Sequence, residues 1–314
     1  MKRGGFSWKK FAGIPLTKSG CDQKIGRMIT RGWCGSFIFS IGNSLCNNFY
    51  LKMRDLRLIF SGIIFFLYLN STVSAQTNDS ISFVPDRPGF ATPPDIIPRT
   101  VFEVEEGIQY ENSTDGVVRN QNFLFSSVLL RYGLLENAEI RIQTDFAYNI
   151  IDGANHSVVY GFNPITIGTK VKLLEQQGAI PNFSILFNLT LPFAGKYEFR
   201  PDNAAPSFYL LMANDLSEAV NLCYNYGMIW DGSSTVPTHF YAVCLSVNLN
   251  DKLSTFIEGY GYFNQTARPD FYIDAGFAYL ITDHLQADIT AAGYLNSFED
   301  YYLLNIGFAW EINK

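Results

Sequence analysis

The stretch from Leu129 to Asn149 constrains the fold most. Its second half alternates almost without error: Ile140, Ile142, Thr144, Phe146 and Tyr148 fall on one face, and Arg141, Gln143, Asp145, Ala147 and Asn149 on the other. Successive side chains of an extended chain point to opposite faces, so the pattern predicts a strand with one apolar and one polar side. A short turn, Gly133 to Ala138, precedes it, and Phe123 to Tyr132 is predicted as the strand entering that turn. A half-buried sheet of a soluble sandwich would alternate in the same way. Repetition of the unit and the presence of an export leader separate the two readings.

The unit repeats. Twelve strands are predicted, near 100–111, 122–132, 139–149, 164–174, 182–192, 206–214, 219–230, 238–249, 253–263, 270–281, 285–295 and 301–312. Two read less cleanly: 122–132 is apolar on both faces, and Glu106 falls on the apolar face of the first. Short turns follow the even-numbered strands, whereas longer polar loops follow the odd ones, for example 150–163 and 193–205. Short turns on one side, long loops on the other and an even strand number are the pattern of a membrane barrel, and strands of this length match a tilted crossing of a bilayer. The chain holds 27 Phe, 18 Tyr and 4 Trp; Tyr148, Tyr226, Trp230 and Tyr241 fall at loop-side ends, where an interfacial girdle belongs, and Tyr132 and Trp310 at the other. The expected fold is all-β, a transmembrane antiparallel up-and-down barrel of about 12 strands. A secreted sandwich is the alternative, and it accounts for neither the loop asymmetry nor the leader as well.

The leader begins internally. Met53 to Arg57 is a short basic start, Leu58 to Leu69 is an apolar run of secretory length, and Val73-Ser74-Ala75 fits a small-x-small cleavage site before Gln76. The run is too short for a typical membrane-spanning helix. Residues 1–52 hold nine Lys/Arg against one Asp, with three of the five cysteines. They read as a spurious extension upstream of the true start at Met53; a cytoplasmic extension or an unusually long leader is the alternative. The expected division is thus 1–52 extension, 53–75 signal peptide, 76–99 Pro-rich N-terminal segment and 100–314 barrel. Thr77 to Pro98 contains five prolines and cannot form a regular strand or helix; it would line the barrel entrance or lead into it. Residues 76–314 carry 12 Lys/Arg and 27 Asp/Glu, a net charge of −15, which offers no basic face for nucleic acid.

Several short motifs, in order along the chain, resemble a known family: Asp86-Arg87-Pro88, Pro94-Asp95-Ile96-Ile97-Pro98, Glu103-Val104-Glu105-Glu106-Gly107, Leu130-Arg131-Tyr132-Gly133-Leu134, Ile167-Gly168-Thr169-Lys170, Leu189-Thr190-Leu191-Pro192, Asn225-Tyr226-Gly227 and Leu280 to Gln286. Over nearly all of 83–312 the chain resembles the "putative MetA-pathway of phenol degradation" family. That resemblance implies a barrel of the Gram-negative cell outer membrane, often labelled a transporter, and so a channel or uptake protein for small molecules, hydrophobic or aromatic ones among them. Outer-membrane lipid would be its surroundings, and barrel-assembly machinery and periplasmic chaperones its partners during biogenesis.

Catalysis has little to stand on. The three histidines, His156, His239 and His284, read as loop or turn residues without a nucleophile and orienter in a usable pattern. No Cys/His grouping has metal-ligand spacing, and no Gly-rich phosphate loop is present, so no enzyme, metal or cofactor is expected. If the apolar faces point to lipid, the lumen carries Glu103, Glu105, Arg131, Arg141, Asp145, Lys170, Lys172, Glu258, Asp274 and Asp288. Basic residues gather on the second to fourth strands and acidic ones on the ninth to eleventh. Such a division would either set a transverse field across a constriction or pair off and fill a narrow barrel. Cys223 and Cys244 both face inward, equidistant from the loop centre between their strands, and so fall opposite each other in a symmetric hairpin. There they form either a strained disulfide or two free thiols. Two functions follow: a channel or uptake barrel, and a closed structural or adhesion-type barrel without transport.

Overall fold

The computed structural model describes residues 83–264, 267–295 and 300–312. The expected extension and leader, 1–75, lie outside the described residues. Thirteen strands form one antiparallel sheet: β1 (Phe102–Asp115), β2 (Val118–Leu135), β3 (Ala138–Asp152), β4 (Ser157–Phe162), β5 (Thr166–Leu174), β6 (Asn182–Thr190), β7 (Ala205–Asp215), β8 (Val220–Ile229), β9 (Thr238–Asn248), β10 (Leu253–Asn264), β11 (Ala267–Thr282), β12 (Leu285–Tyr294) and β13 (Tyr301–Ile312). β1 pairs with both β2 and β13 and β2 pairs with β3, so the sheet closes on itself, and among the described strands β4 alone has a single neighbour. β4 and β5 both pair with β3, end to end, and together make one stave interrupted at Asn163-Pro164-Ile165. The barrel therefore has twelve staves. Pro164 has no N–H for a ladder, which explains the interruption.

The polar stretches expected as loops extend the strands instead. β1 runs to Asp115 and β2 starts at Val118, joined by Gly116-Val117, with Gly116 at φ 61°. β3 and β4 likewise continue into 150–163, leaving only 153–156 as loop. Polarity in these stretches reports water on both faces, not loss of backbone pairing. The less regular second strand has an equally simple cause. Its register with β3 shifts between Leu124 and Ser126. Arg131 and Leu129 face inward with Arg141 and Gln143 on one side of the irregularity, and Leu124 and Asn122 with Ala147 and Asn149 on the other. The inward parity changes midway, so no single alternation fits.

Outward faces carry Ile142, Ile257, Phe277, Ile289, Leu304 and Ile306, each at least 45% exposed. A soluble protein of this size does not present such a continuous apolar belt, whereas a membrane barrel requires one. Glu106 does point outward, beside Phe308 and Val128, and accepts a hydrogen bond from Ser126 Oγ at 3.2 Å. No helix among the described residues is long and apolar enough to cross a membrane, which leaves crossing by strands untouched.

Candidate functional site in the barrel lumen

The Pro-rich segment does not merely lead into the barrel. Residues 86–99 make a circuit of the lumen wall, touching most of its staves in turn. Arg87 binds Asp288 on β12 through Nε at 3.1 Å and Nη2 at 2.8 Å, and Asn305 on β13 at 2.6 Å. The backbone N–H groups of Phe90 and Ala91 donate to Glu258 on β10, at 3.1 and 2.9 Å. Thr92 exchanges two hydrogen bonds with the Asn225 amide on β8, at 2.6 and 3.0 Å. Ser184 on β6 donates to the carbonyl of Pro94, and Lys170 on β5 to those of Pro93 and Asp95. The Ile97 N–H then donates to Glu139 on β3, and Arg99 bridges to Gly133 on β2 before the chain turns into β1. A chain rich in proline has few N–H groups and exposed carbonyls, so side-chain donors and acceptors of the wall must meet its backbone.

Two adjacent residues of this segment reach opposite walls. The Asp86 carboxylate accepts from Lys170 at 2.7 Å and pairs with Arg141, with Arg131 at 3.6 Å. Arg87 turns the other way, to Asp288. A slot receives it: Gly107 and Gly307 are cross-strand partners, and a Cβ on either would run into the guanidinium. Burial alone would push the Asp86 carboxyl up, yet the charges of Arg131, Arg141 and Lys170 hold it well below the usual carboxylate range.

Of the lumen charges expected from alternation, Glu103, Glu105, Arg131, Arg141 and Lys170 meet in one network, with Asp86 of the segment as part of it. Arg131 has no solvent exposure; its guanidinium meets Glu103 at 2.7 Å, Glu105 at 3.2 Å and Glu139 through Nε and Nη2 at 3.0 and 2.8 Å. Arg141 adds a 3.1 Å bond to Glu139. Lys172 is peripheral, 3.7 Å from Asp95 and from Glu175. Asp145 faces inward four residues further along β3, outside the network, and is only half-buried. Glu258, Asp274 and Asp288 line the acidic side, where Glu258 and Asp274 are cross-strand partners. On the basic side the counter-charges are Glu103, Glu105 and Glu139 of the wall together with Asp86, and on the acidic side Arg87 pairs with Asp288. Sequence reasoning missed Asp86 and Arg87 because a Pro-rich segment has no periodicity from which to read a facing. It also missed Glu139, although its parity with Arg141 would have placed it inward.

Cys223 and Cys244 are directly opposed in the β8–β9 register, as symmetry predicts, and both are free thiols. Of the two alternatives, the structure takes the unbridged one; Cys223 Sγ donates instead to the Thr92 carbonyl at 3.5 Å. His239 lies in β9 and not in a loop, with Nδ1 2.7 Å from Tyr226 Oη. His156 is in the loop side beside Asp152, and His284 in a turn beside Glu311. Among the described residues no group of three His, Cys, Asp or Glu side chains is placed to hold a metal.

Towards the loop side the lumen changes character. Tyr260 and Tyr272 are cross-strand partners stacked at 5.0 Å, and Tyr301 meets Tyr272 edge-on at 4.8 Å. Phe90 of the inner segment stacks on Tyr260 at 4.2 Å. On the far wall the loop after β6 folds in, and Phe199 packs on Leu124, Ala147 and Val159.

Comparison with solved structures supports the architecture. The COG4313 outer membrane channel from Pseudomonas putida F1 superposes with a TM-score of 0.57 at 12% identity, over 72% of this chain and 99% of that one. The NanC porin gives 0.45 at 9% identity, over 66% and 100%, and the CymD monoaromatic hydrocarbon channel 0.42 at 8%, over 69% and 90%. At these identities the first shows the shared fold, and the other two are too distant in shape to add to it. No curated protein matches the chain. The sequence itself matches a family over residues 85–312, which takes in the inner segment and every strand. The chain belongs to the family described as "Putative MetA-pathway of phenol degradation".

Proposed function

We propose that this protein is an outer-membrane channel for small molecules, gated from within by residues 83–98, and that its mature chain begins at Gln76. One observation carries the reading. The segment that runs along the lumen wall takes no part in the strand ladder, except at its hinge, where Arg99 bridges to Gly133. It is held by side-chain hydrogen bonds and ion pairs to a polar wall. It can therefore leave without unpairing a stave. A purely structural barrel would gain more from an apolar core than from a buried ionic network, since desolvating paired charges offsets much of their attraction. The Pseudomonas putida neighbour that shares the fold is an outer membrane channel, which agrees with this role.

The test is conductance of the full chain in planar bilayers. Wild type should show brief, small openings, and the double variant Asp86→Asn/Arg87→Gln long ones of higher conductance, because both walls lose their counter-charge from the segment. If neither protein conducts while both remain folded barrels, the lumen is permanently closed and the channel reading fails. N-terminal sequencing of protein extracted from membranes checks the start at Gln76.

A further inference from the structure

We propose that the outer face of β13, β1, β2, β3 and β4, at the loop-side edge of the apolar belt, docks a phosphate-bearing glycolipid of the outer leaflet, and that Arg119 and Lys196 receive its phosphates. The inference does not depend on whether the lumen conducts. Outward rings form a continuous row across these five neighbouring staves. Tyr302 meets Tyr110 at 5.8 Å, Tyr110 meets Phe123 at 4.6 Å, Phe123 meets Tyr148 at 6.5 Å, and Tyr148 stacks on Tyr160 at 5.9 Å. At the spacing of paired strands the row spans about 20 Å. Amphipathic rings at the end of an apolar belt mark the level where hydrocarbon gives way to headgroups, and the long loops of such barrels lie on the outer side.

Cations stand toward both ends of the row. Arg119 is exposed, on the face that carries Gln121 and Phe123, and its Nε donates to the buried Asn112 at 2.6 Å. Gln121 donates in turn to Tyr110 Oη at 2.8 Å, so guanidinium, amides and ring form one polar rim above the belt. Arg119 makes no ion pair among the described residues: Asp152, its cross-strand partner, is taken by His156 Nδ1 at 2.5 Å. At the other end Lys196 Nζ lies 5.1 Å over the Tyr160 ring. It is fixed there twice, since its N–H donates to the Phe162 carbonyl at 2.7 Å and its stem occupies the space that a side chain at Gly161 would fill. Its pairing with Glu198 is loose, at 3.9 Å. Residues 76–314 carry a net charge of −15, and most of their other cations serve the lumen or the turn side. Two cations held at headgroup level, each with room for a further acceptor, therefore complement an anion presented by the bilayer. A row this wide, with a cation toward each end, suits a headgroup that offers phosphates at two separated points on a broad set of acyl chains. The hydroxyls of the same headgroup would meet the amides of the rim.

The experiment measures equilibrium binding of a lipid probe to the full-length protein folded in uncharged detergent. The probe is an acylated disaccharide with a phosphate on each sugar, compared with the same glycolipid after both phosphates are removed. Wild type should bind the phosphorylated probe about 25-fold more tightly, the worth of two cations at an anionic surface, and the preference should shrink as salt is raised. Arg119→Ala and Lys196→Ala should each weaken the phosphorylated probe by about fivefold, and the double variant should bind both probes alike. Lys252→Ala, in the turn between β9 and β10 at the other rim, should change nothing. Arg119→Gln and Lys196→Gln take the place of any variant that does not fold. The proposal is overturned if wild type binds the two probes equally, or if Lys252→Ala weakens binding as much as Arg119→Ala does. It is overturned equally if inorganic phosphate alone binds as tightly as the probe, which would make this a site for a free anion. Absence of conductance would sink the channel reading and leave these affinities standing; absence of the phosphate preference would do the reverse.

Discussion

Arg131 has no exposed surface and lies within 3.6 Å of four carboxylates, Asp86, Glu103, Glu105 and Glu139. Its fork geometry grips Glu139 with two bonds, which a lysine ammonium cannot reproduce. Arg131→Ala leaves those acids buried without their main partner and should cost about 3–5 kcal/mol of barrel stability, read from urea unfolding in lipid bilayers; Arg131→Lys should recover only part. Asp86 answers to pH in a defined direction. Its carboxyl is held below the ordinary value of 3.8 when the segment is docked, so the docked state is stabilised above that pH and loses the contribution as the pH falls below it. Protease access to the segment should therefore show no change from this group between pH 8 and 5, and should rise only in stronger acid. The inward facing of Arg131, Arg141, Lys170, Glu258 and Asp288 was legible, because strand parity places each with its polar neighbours. Their partners were not. Asp86 and Arg87 stand among prolines, where nothing in the spacing tells which wall a side chain will meet.

At the scale of elements, the strands were legible and the inner segment was not. Alternation reports which face of a strand meets lipid, and all twelve expected strands are recovered, most with shifted ends; the fourth stave gains a second piece, β4, on the loop side of Pro164. The hairpin of β1 and β2 beyond the apolar belt was read as loop because Asn112 to Asn120 is polar except for Val117 and Val118 at the turn, and a ladder outside the lipid needs no apolar face. The segment 83–98 could be recognised as irregular but not as a plug, since its structure is imposed by the wall through hydrogen bonds to its carbonyls and N–H groups. Its mobility can be tested with a native thiol. The Thr92 carbonyl accepts from Cys223 Sγ at 3.5 Å, so the two residues are neighbours, and oxidation of Thr92→Cys tests whether a bridge between them can form. In a Cys244→Ser background, oxidised Thr92→Cys should close the channel and reductant should restore the openings. Unchanged conductance with the bridge formed would show that ions pass beside a fixed segment.

The described barrel is an inside-out object. Its charged side chains gather in the interior, and a belt of large apolar ones faces outward: Ile142 is 45% and Ile306 61% exposed, while Glu139 and Lys170 have no exposed surface. In water this arrangement would expose a continuous apolar belt; in a bilayer the belt is the stabilising surface, and in a closed ladder neighbouring staves satisfy one another's backbone groups. The two faces of a single strand should then respond oppositely to the same change. Ile142 of β3 points out, between Leu130 and Ile167, and Gln143 points in, between Leu129 and Thr166. Ile142→Arg places a charge in lipid and should destabilise the folded barrel by about 2–4 kcal/mol if the site is near the midplane, less towards either interface. Gln143→Arg remains in the polar lumen and should be tolerated far better. On β6, Phe187→Arg and Asn188→Arg should repeat the contrast, since Phe187 is outward beside Phe208 and Asn188 inward beside Ser207. Unfolding midpoints of the four variants in bilayers of defined thickness measure it. Equal losses on both faces would mean that the belt does not meet lipid, and a thinner bilayer should reduce the penalty at Ile142 if it does.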